Sequence, residues 1–163
     1  MIFDDSRGMG LMVLLIASSA VPILAQSTTQ TVTFSISAIN QIAFVGAPSL
    51  TVSAAVPGAG PSSVTDATAT WAVTTNQTGA KITASIPTVM PAGLTLSSDL
   101  APPAGAASAG FQALGTVAVD LVTGITKVAQ GLMVVTYRLD ATAAAGVVSA
   151  GSRIVTYTIT GGT

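Results

Sequence analysis

The sequence contains no histidine and no cysteine, and all six of its acidic residues are aspartates. Histidine supplies most proton transfer near neutral pH, and cysteine with histidine supplies most tight transition-metal sites. Without cysteine the fold cannot be stapled by a disulfide, so stability has to come from a core and from sheet hydrogen bonds. We therefore expect a protein that is not an enzyme, with no catalytic residues, no metal site and no bound cofactor.

Charge is also scarce, because charged residues make up only 7% of the chain and the formal net charge is -1. The basic residues after the N-terminal region are spaced far apart, at Lys81, Lys127, Arg138 and Arg153. Nucleic-acid binders neutralise phosphates with clustered basic side chains, so this spacing excludes that class. A surface with so little charge lacks the self-repulsion that keeps copies apart, and copies of the same chain are the predicted partners.

An apolar stretch over residues 9–24 ends at Ala25 and is followed by polar residues. This pattern is typical of a secretory signal peptide, here residues 1–25, with cleavage after the small Ala25. Pro22 near the end of the stretch and its short length argue against a membrane-spanning helix, although an uncleaved N-terminal anchor is the alternative. We expect residues 26–163 to form a single domain without a membrane span, secreted to the extracellular space or the cell surface.

Beyond the leader, apolar residues alternate with Thr and Ser between clusters of Gly and Pro, which indicates half-buried strands. The pattern predicts strands at residues 50–54, 67–75 and 81–86, the last two joined as a hairpin by a turn at residues 76–79. Trp71, Tyr137 and Tyr157 share the parity of neighbouring Val and Leu residues and are expected to be core anchors. The predicted fold is all-β, an antiparallel two-layer β-sandwich of immunoglobulin-like or pilin-like type with seven to nine strands, and a closed barrel is the alternative.

Two further patterns contain polar residues that are candidates for a modification site and a calcium site. Asn76 begins an Asn-Gln-Thr glycosylation sequon in the predicted turn. Asp120 and Asp140 carry the oxygen ligands that calcium prefers, but the dense Asp spacing of a calcium loop is missing, so solvated strand-end carboxylates are favoured.

The longest alternating run covers residues 31–44 and is the most informative feature of the sequence. It is longer than a usual strand of about five or six residues. One interpretation is an ordinary first strand that crosses to the other sheet. The other is a donor strand that completes the sheet of a neighbouring subunit, with main-chain hydrogen bonds giving affinity and alternate side chains filling pockets. The apolar face of this candidate assembly strand consists of Val32, Phe34, Ile36, Ala38, Ile42 and Phe44.

In layout, with its leader, this N-terminal run and a closing strand at residues 153–160, the chain resembles exported β-sandwich subunits of surface fibres. These are the pilin-like and biofilm-matrix fibre proteins that assemble by donor-strand exchange. The resemblance implies a structural subunit of an extracellular filament or surface layer, with no catalytic residues to transfer. A monomeric secreted adhesion or binding module with an immunoglobulin-like fold is the alternative function.

Overall fold

The computed structural model describes residues 24–163, so residues 1–23 of the predicted signal peptide lie outside the described residues. The chain divides into two compact units, Met1–Ser35 and Ile36–Thr163. The described part of the first unit, residues 24–35, has no regular secondary structure. The second unit contains all the strands of the described residues.

The second unit is all-β, as predicted, and its strands form two antiparallel sheets. A five-stranded sheet has the order β1-β2-β8-β4-β6, and a four-stranded sheet has the order β5-β7-β3-β9. A short 3-10 turn, Ala143–Ala145, precedes the last strand. The strands are β1 (Asn40–Val45), β2 (Val64–Thr75), β3 (Ala80–Ser85), β4 (Leu94–Leu100), β5 (Ala107–Ser108), β6 (Gln112–Ala113), β7 (Val119–Ile125), β8 (Val128–Ala141) and β9 (Thr156–Thr160).

The core is built from the period-two apolar faces of strands in both sheets, an arrangement compatible with a two-layer sandwich. Trp71 on β2 is 1% exposed, and its indole N–H donates to the carbonyl of Ala101 at 3.1 Å. Met133 lies opposite Trp71 on β8. Ile82 on β3 contributes from the other sheet and is 0% exposed. The prediction that Trp71 is a core anchor is confirmed.

The predicted hairpin at residues 76–79 is wrong, because β2 and β3 belong to different sheets. β2 pairs with β1 and β8, whereas β3 pairs with β7 and β9. The turn is therefore a corner between the sheets. Gly79 has a φ of +75°, which suits a sharp change of direction, and Thr78 exchanges backbone hydrogen bonds with Thr163. Turn residues in the sequence indicate that the chain changes direction, but they do not indicate which strand the following strand pairs with.

Residues 50–54, predicted as a strand, form no ladder in the structure, and the only pairing nearby is an isolated bridge between Ala55 and Pro61. Prolines at positions 48 and 57 flank this stretch and cannot donate to a sheet. Just before this stretch, the backbone N–H of Ser49 donates to the carboxylate of Asp66 at 2.8 Å.

Among the described residues, none of the helices has the length and apolar character needed to cross a membrane.

Candidate assembly site

Residues 31–39 retain the alternating pattern of a strand but are not assigned to any sheet. Val32 and Phe34, in the first unit, are 74% and 92% exposed. Ile36, in the second unit, is 82% exposed, and Ala38 is exposed as well. In the sequence these apolar residues alternate with Thr and Ser, and clustered apolar side chains exposed to water often mark an interaction surface.

The other two residues of the predicted assembly strand have a different environment. Ile42 and Phe44 lie on β1, which pairs with β2 over its six residues, and both pack against the core of their own unit. The Phe44 ring stacks on Tyr157, with ring centroids 3.9 Å apart, and lies 5.9 Å from the ring of Trp71. The structure thus separates the six residues into an exposed group, positions 32–38, and an internal group on β1.

Asn76 holds the chain where it enters β1. Its side-chain oxygen accepts the backbone N–H of Ile39 at 2.8 Å, and its side-chain nitrogen donates to the carbonyl of Ser37 at 2.8 Å. The backbone N–H of Asn76 also donates to the Ile39 carbonyl. The sequon asparagine is therefore a clamp for residues 37–39, a role that the tripeptide pattern did not predict.

The second element of the site is β9, the outer strand of the four-stranded sheet, together with the two residues before it; we call residues 154–160 the β9 edge. Within the described residues β9 pairs with β3 alone, so one side of its backbone has no strand partner. Its inward side chains, Val155, Tyr157 and Ile159, are only partly buried. Ile82 on the neighbouring β3 is 0% exposed. The core is consequently less well covered at the β9 edge than one strand further in.

A chain of hydroxyl groups fixes Tyr157 in place. Its phenol donates to the hydroxyl of Tyr137 at 2.8 Å and lies 3.2 Å from Oγ of Ser98, which is 0% exposed. Burial raises the pKa of both tyrosines above the usual value, and Tyr157 is affected more strongly. Both phenols stay neutral at ordinary pH, and the Tyr157 ring presents a fixed aromatic surface beside Phe44.

The two carboxylates considered as calcium ligands lie on strands of different sheets. Asp120 on β7 pairs with Lys81 at 2.9 Å, and Asp140 on β8 pairs with Arg138 at 2.9 Å. A hydrogen bond from Ser63 is the main reason that the pKa of Asp140 is lowered. The part of the chain that the structure describes contains no cluster of three or more His, Cys, Asp or Glu side chains suited to a metal ion. Both carboxylates serve in local ion pairs.

One apolar feature was missed by the sequence reasoning. Leu132 is 87% exposed and has a φ of +57°, at a register shift between β2 and β8. It borders a shallow cleft of about 90 Å³ on the outer face of the five-stranded sheet, together with Val45, which is 71% exposed. Gly131, directly before a break in the alternation, was the available signal for this bulge.

Comparison of the chain with protein-family models, with curated proteins and with solved structures gave no match.

Proposed function

We propose that this protein is a structural subunit of an extracellular filament or surface layer, in which the N-terminal segment of one copy adds a strand to the next. The observation that carries the proposal is the exposure of Val32, Phe34 and Ile36, which alternate with Thr and Ser in the sequence of a segment that is not assigned to any sheet. In a monomer these three large apolar side chains, spaced two residues apart, would stay in water without a structural role. A strand that completes another sheet requires this pattern.

The interaction would be head-to-tail, because the segment and the edge that receives it are different surfaces of the chain. A heterologous contact of this kind leaves a free segment at one end and a free edge at the other, and it produces a filament when it does not close into a ring. The partner is another copy of the same chain, and the interaction needs no cofactor.

Secretion and fold type belong to the same proposal. We propose an immunoglobulin-like or pilin-like connectivity for the two sheets, and export of the chain by its N-terminal leader to the cell surface or beyond. The paired aspartates and the absence of histidine and cysteine support a structural rather than a catalytic role.

Negative-stain microscopy of the protein, purified after expression of the full chain, tests the proposal with a matched pair of variants. Phe34→Thr removes an aromatic ring from the apolar face, and Ser35→Thr places the same residue type on the opposite face. Burying a Phe side chain contributes about 1.5 to 3 kcal/mol, so Phe34→Thr should weaken subunit association by roughly 10- to 150-fold. Ser35→Thr should assemble normally. Equal assembly of the two variants would contradict the proposal.

Deletion of residues 26–38 is the stronger test. The deleted residues contribute no strand to the sheets of the second unit, so the remaining domain should fold with its normal circular dichroism spectrum. It should fail to form fibres and should tend to aggregate through its uncovered edge. Normal fibres from the truncated protein would rule out strand donation.

The exposed patch around Leu132 favours the second candidate, a monomeric adhesion module, because exposed apolar residues beside a cleft are a common binding surface. Under this alternative the purified protein gives only small particles by microscopy. Leu132→Ser would then reduce attachment of the protein to its target surface, and Phe34→Thr would leave attachment unchanged. Fibres that depend on Phe34 and not on Leu132 would exclude the alternative.

A further inference from the structure

We propose that the acceptor for the N-terminal segment is the β9 edge of a second copy, and that Phe34 of the donor lies beside Tyr157 of the acceptor. This inference rests on the proposed function and adds the location and register of the contact. Among the residues that the structure describes, the exposed segment has no sheet partner and the β9 edge has no strand on one side.

The two surfaces match in spacing. The donor offers three large apolar side chains at alternate positions, Val32, Phe34 and Ile36. The β9 edge offers three partly buried inward side chains at alternate positions, Val155, Tyr157 and Ile159. Alternate residues on neighbouring strands repeat at the same interval of about 6.6 Å, so the two triplets can lie side by side on one face. With the triplets aligned, Phe34 meets Tyr157 whichever way the donor strand runs.

Aromatic packing favours this alignment. Tyr157 is held by the hydroxyls of Tyr137 and Ser98, and its ring already stacks on Phe44. A rigid ring loses little conformational freedom on binding, so the surface is organised in advance for another aromatic side chain. Phe34 placed beside Tyr157 would extend the aromatic group of Phe44, Trp71 and Tyr157.

Charge also fits. The sequence has no charged residue from position 8 to position 65, nor from position 154 to the end of the printed chain. Pairing of the donor with the β9 edge therefore buries no charged side chain from either strand, and the exposed Thr and Ser residues on their outer faces remain in water. An unpaired charge in such a contact would oppose it.

The other sheet edges are less suitable. β5 and β6 have two residues each, too few to place three alternate side chains beside a donor strand. β1 offers Ile42 and Phe44 as large inward side chains, but the flanking positions of the same parity are Asn40 and Gly46, whereas Val155 continues the inward face of β9. The β1 edge is therefore the appropriate control in the test.

Site-directed cross-linking is clean in this chain because it has no cysteine. Donor copies carry Ser35→Cys on the outer face of the segment, and acceptor copies carry Thr158→Cys or Thr156→Cys on the exposed outer face of β9. The control acceptor carries Ala43→Cys, which is exposed on β1. Each donor is mixed with one acceptor at equal amounts, assembled, oxidised and analysed as covalent dimer. Thr33→Cys serves as a second donor if Ser35→Cys impairs assembly.

We expect about ten-fold more donor–acceptor dimer with one of the β9 cysteines than with Ala43→Cys, because a disulfide requires its two Cα atoms to lie within about 7 Å. Ser35 linked to Thr158 would indicate a parallel strand, and Ser35 linked to Thr156 an antiparallel one. Fibres whose dimers form at Ala43→Cys, or at neither edge, would overturn the acceptor assignment and leave strand donation standing. Absence of fibres from the unsubstituted chain would instead remove the proposed function and this inference with it.

Discussion

The two halves of the N-terminal alternating run have the same sequence pattern and opposite environments. Residues 40–45 form β1, and Phe44 is stacked between Trp71 and Tyr157. Residues 31–39 belong to no sheet, and Phe34 is 92% exposed. The alternating sequence pattern predicts that the apolar face of the run is covered, but it does not indicate whether the same molecule or another copy covers it. That difference is the basis of the assembly proposal, and three measurements test it.

The largest expected effect comes from truncating the same residue type in each half. Phe44→Ala removes a partly buried ring and should lower the free energy of unfolding by about 2 to 3 kcal/mol, somewhat less than a fully buried Phe. Phe34→Ala should change it by less than about 0.5 kcal/mol, as expected of a surface position. Urea unfolding of the unassembled protein measures both. Equal destabilisation would show that residues 31–39 pack within their own subunit.

A smaller effect is expected at the junction between the two halves. Asn76→Ala leaves the Ile39 N–H and the Ser37 carbonyl without their side-chain partner, and we expect a loss of about 1 to 2 kcal/mol. Thr78→Ala destroys the same glycosylation sequon but leaves the Asn76 side chain intact, so it should be nearly neutral in stability. Thermal unfolding compares the two, in an unglycosylated preparation. If Thr78→Ala is as harmful as Asn76→Ala, the clamp is not the reason that Asn76 matters.

The smallest expected change in unfolding free energy comes from Tyr157, whose ring stacks on Phe44 of β1. The folded state raises the pKa of Tyr157, mainly through burial, so it favours the neutral phenol. Its contribution to stability is complete below about pH 10, the ordinary tyrosine pKa, and is lost as the pH rises above that value. Tyr157→Phe should cost about 1 kcal/mol at pH 8, because Tyr137 and Ser98 lose a hydroxyl partner.

Urea unfolding at pH 8 and pH 11 provides the check. The original chain should lose more stability between the two pH values than Tyr157→Phe does, since the variant retains only the Tyr137 part of the alkaline effect. Identical losses would mean that Tyr157 does not titrate as its burial requires. Ser35→Thr, an exposed substitution that removes no titratable group, is a control for general alkaline damage.

Period-two reasoning predicted the faces of the long inner strands well, because a residue such as Trp71 or Val135 is buried by sheets on both sides of the core. It failed where information beyond the strand was needed. The turn at residues 76–79 reverses the chain but leads into the other sheet. Tyr157 has the parity of a core residue but is only partly buried, because no strand of the described residues 24–163 lies beyond β9.

The assembly site was predictable only in part for the same reason. The sequence pattern predicts a continuous run over residues 31–44, of which the structure forms a strand only from Asn40 onward, and this division depends on the register of β1 on β2. The clamp at Asn76 and the bulge at Leu132 depend on contacts between residues far apart in sequence. A single sequence gives few signals for such contacts.

The order in which the strands pair determines when each part of the protein can fold. β2 is paired to β8, and β3 is paired to β9, so each sheet has a ladder that requires the C-terminal third of the chain. Long-range pairing of this kind is slow compared with local folding. The N-terminal segment is synthesised before β9. In the assembly proposed above, a chain could therefore add its N-terminal segment to a finished subunit before its own β9 edge forms, which would give a fibre a fixed polarity.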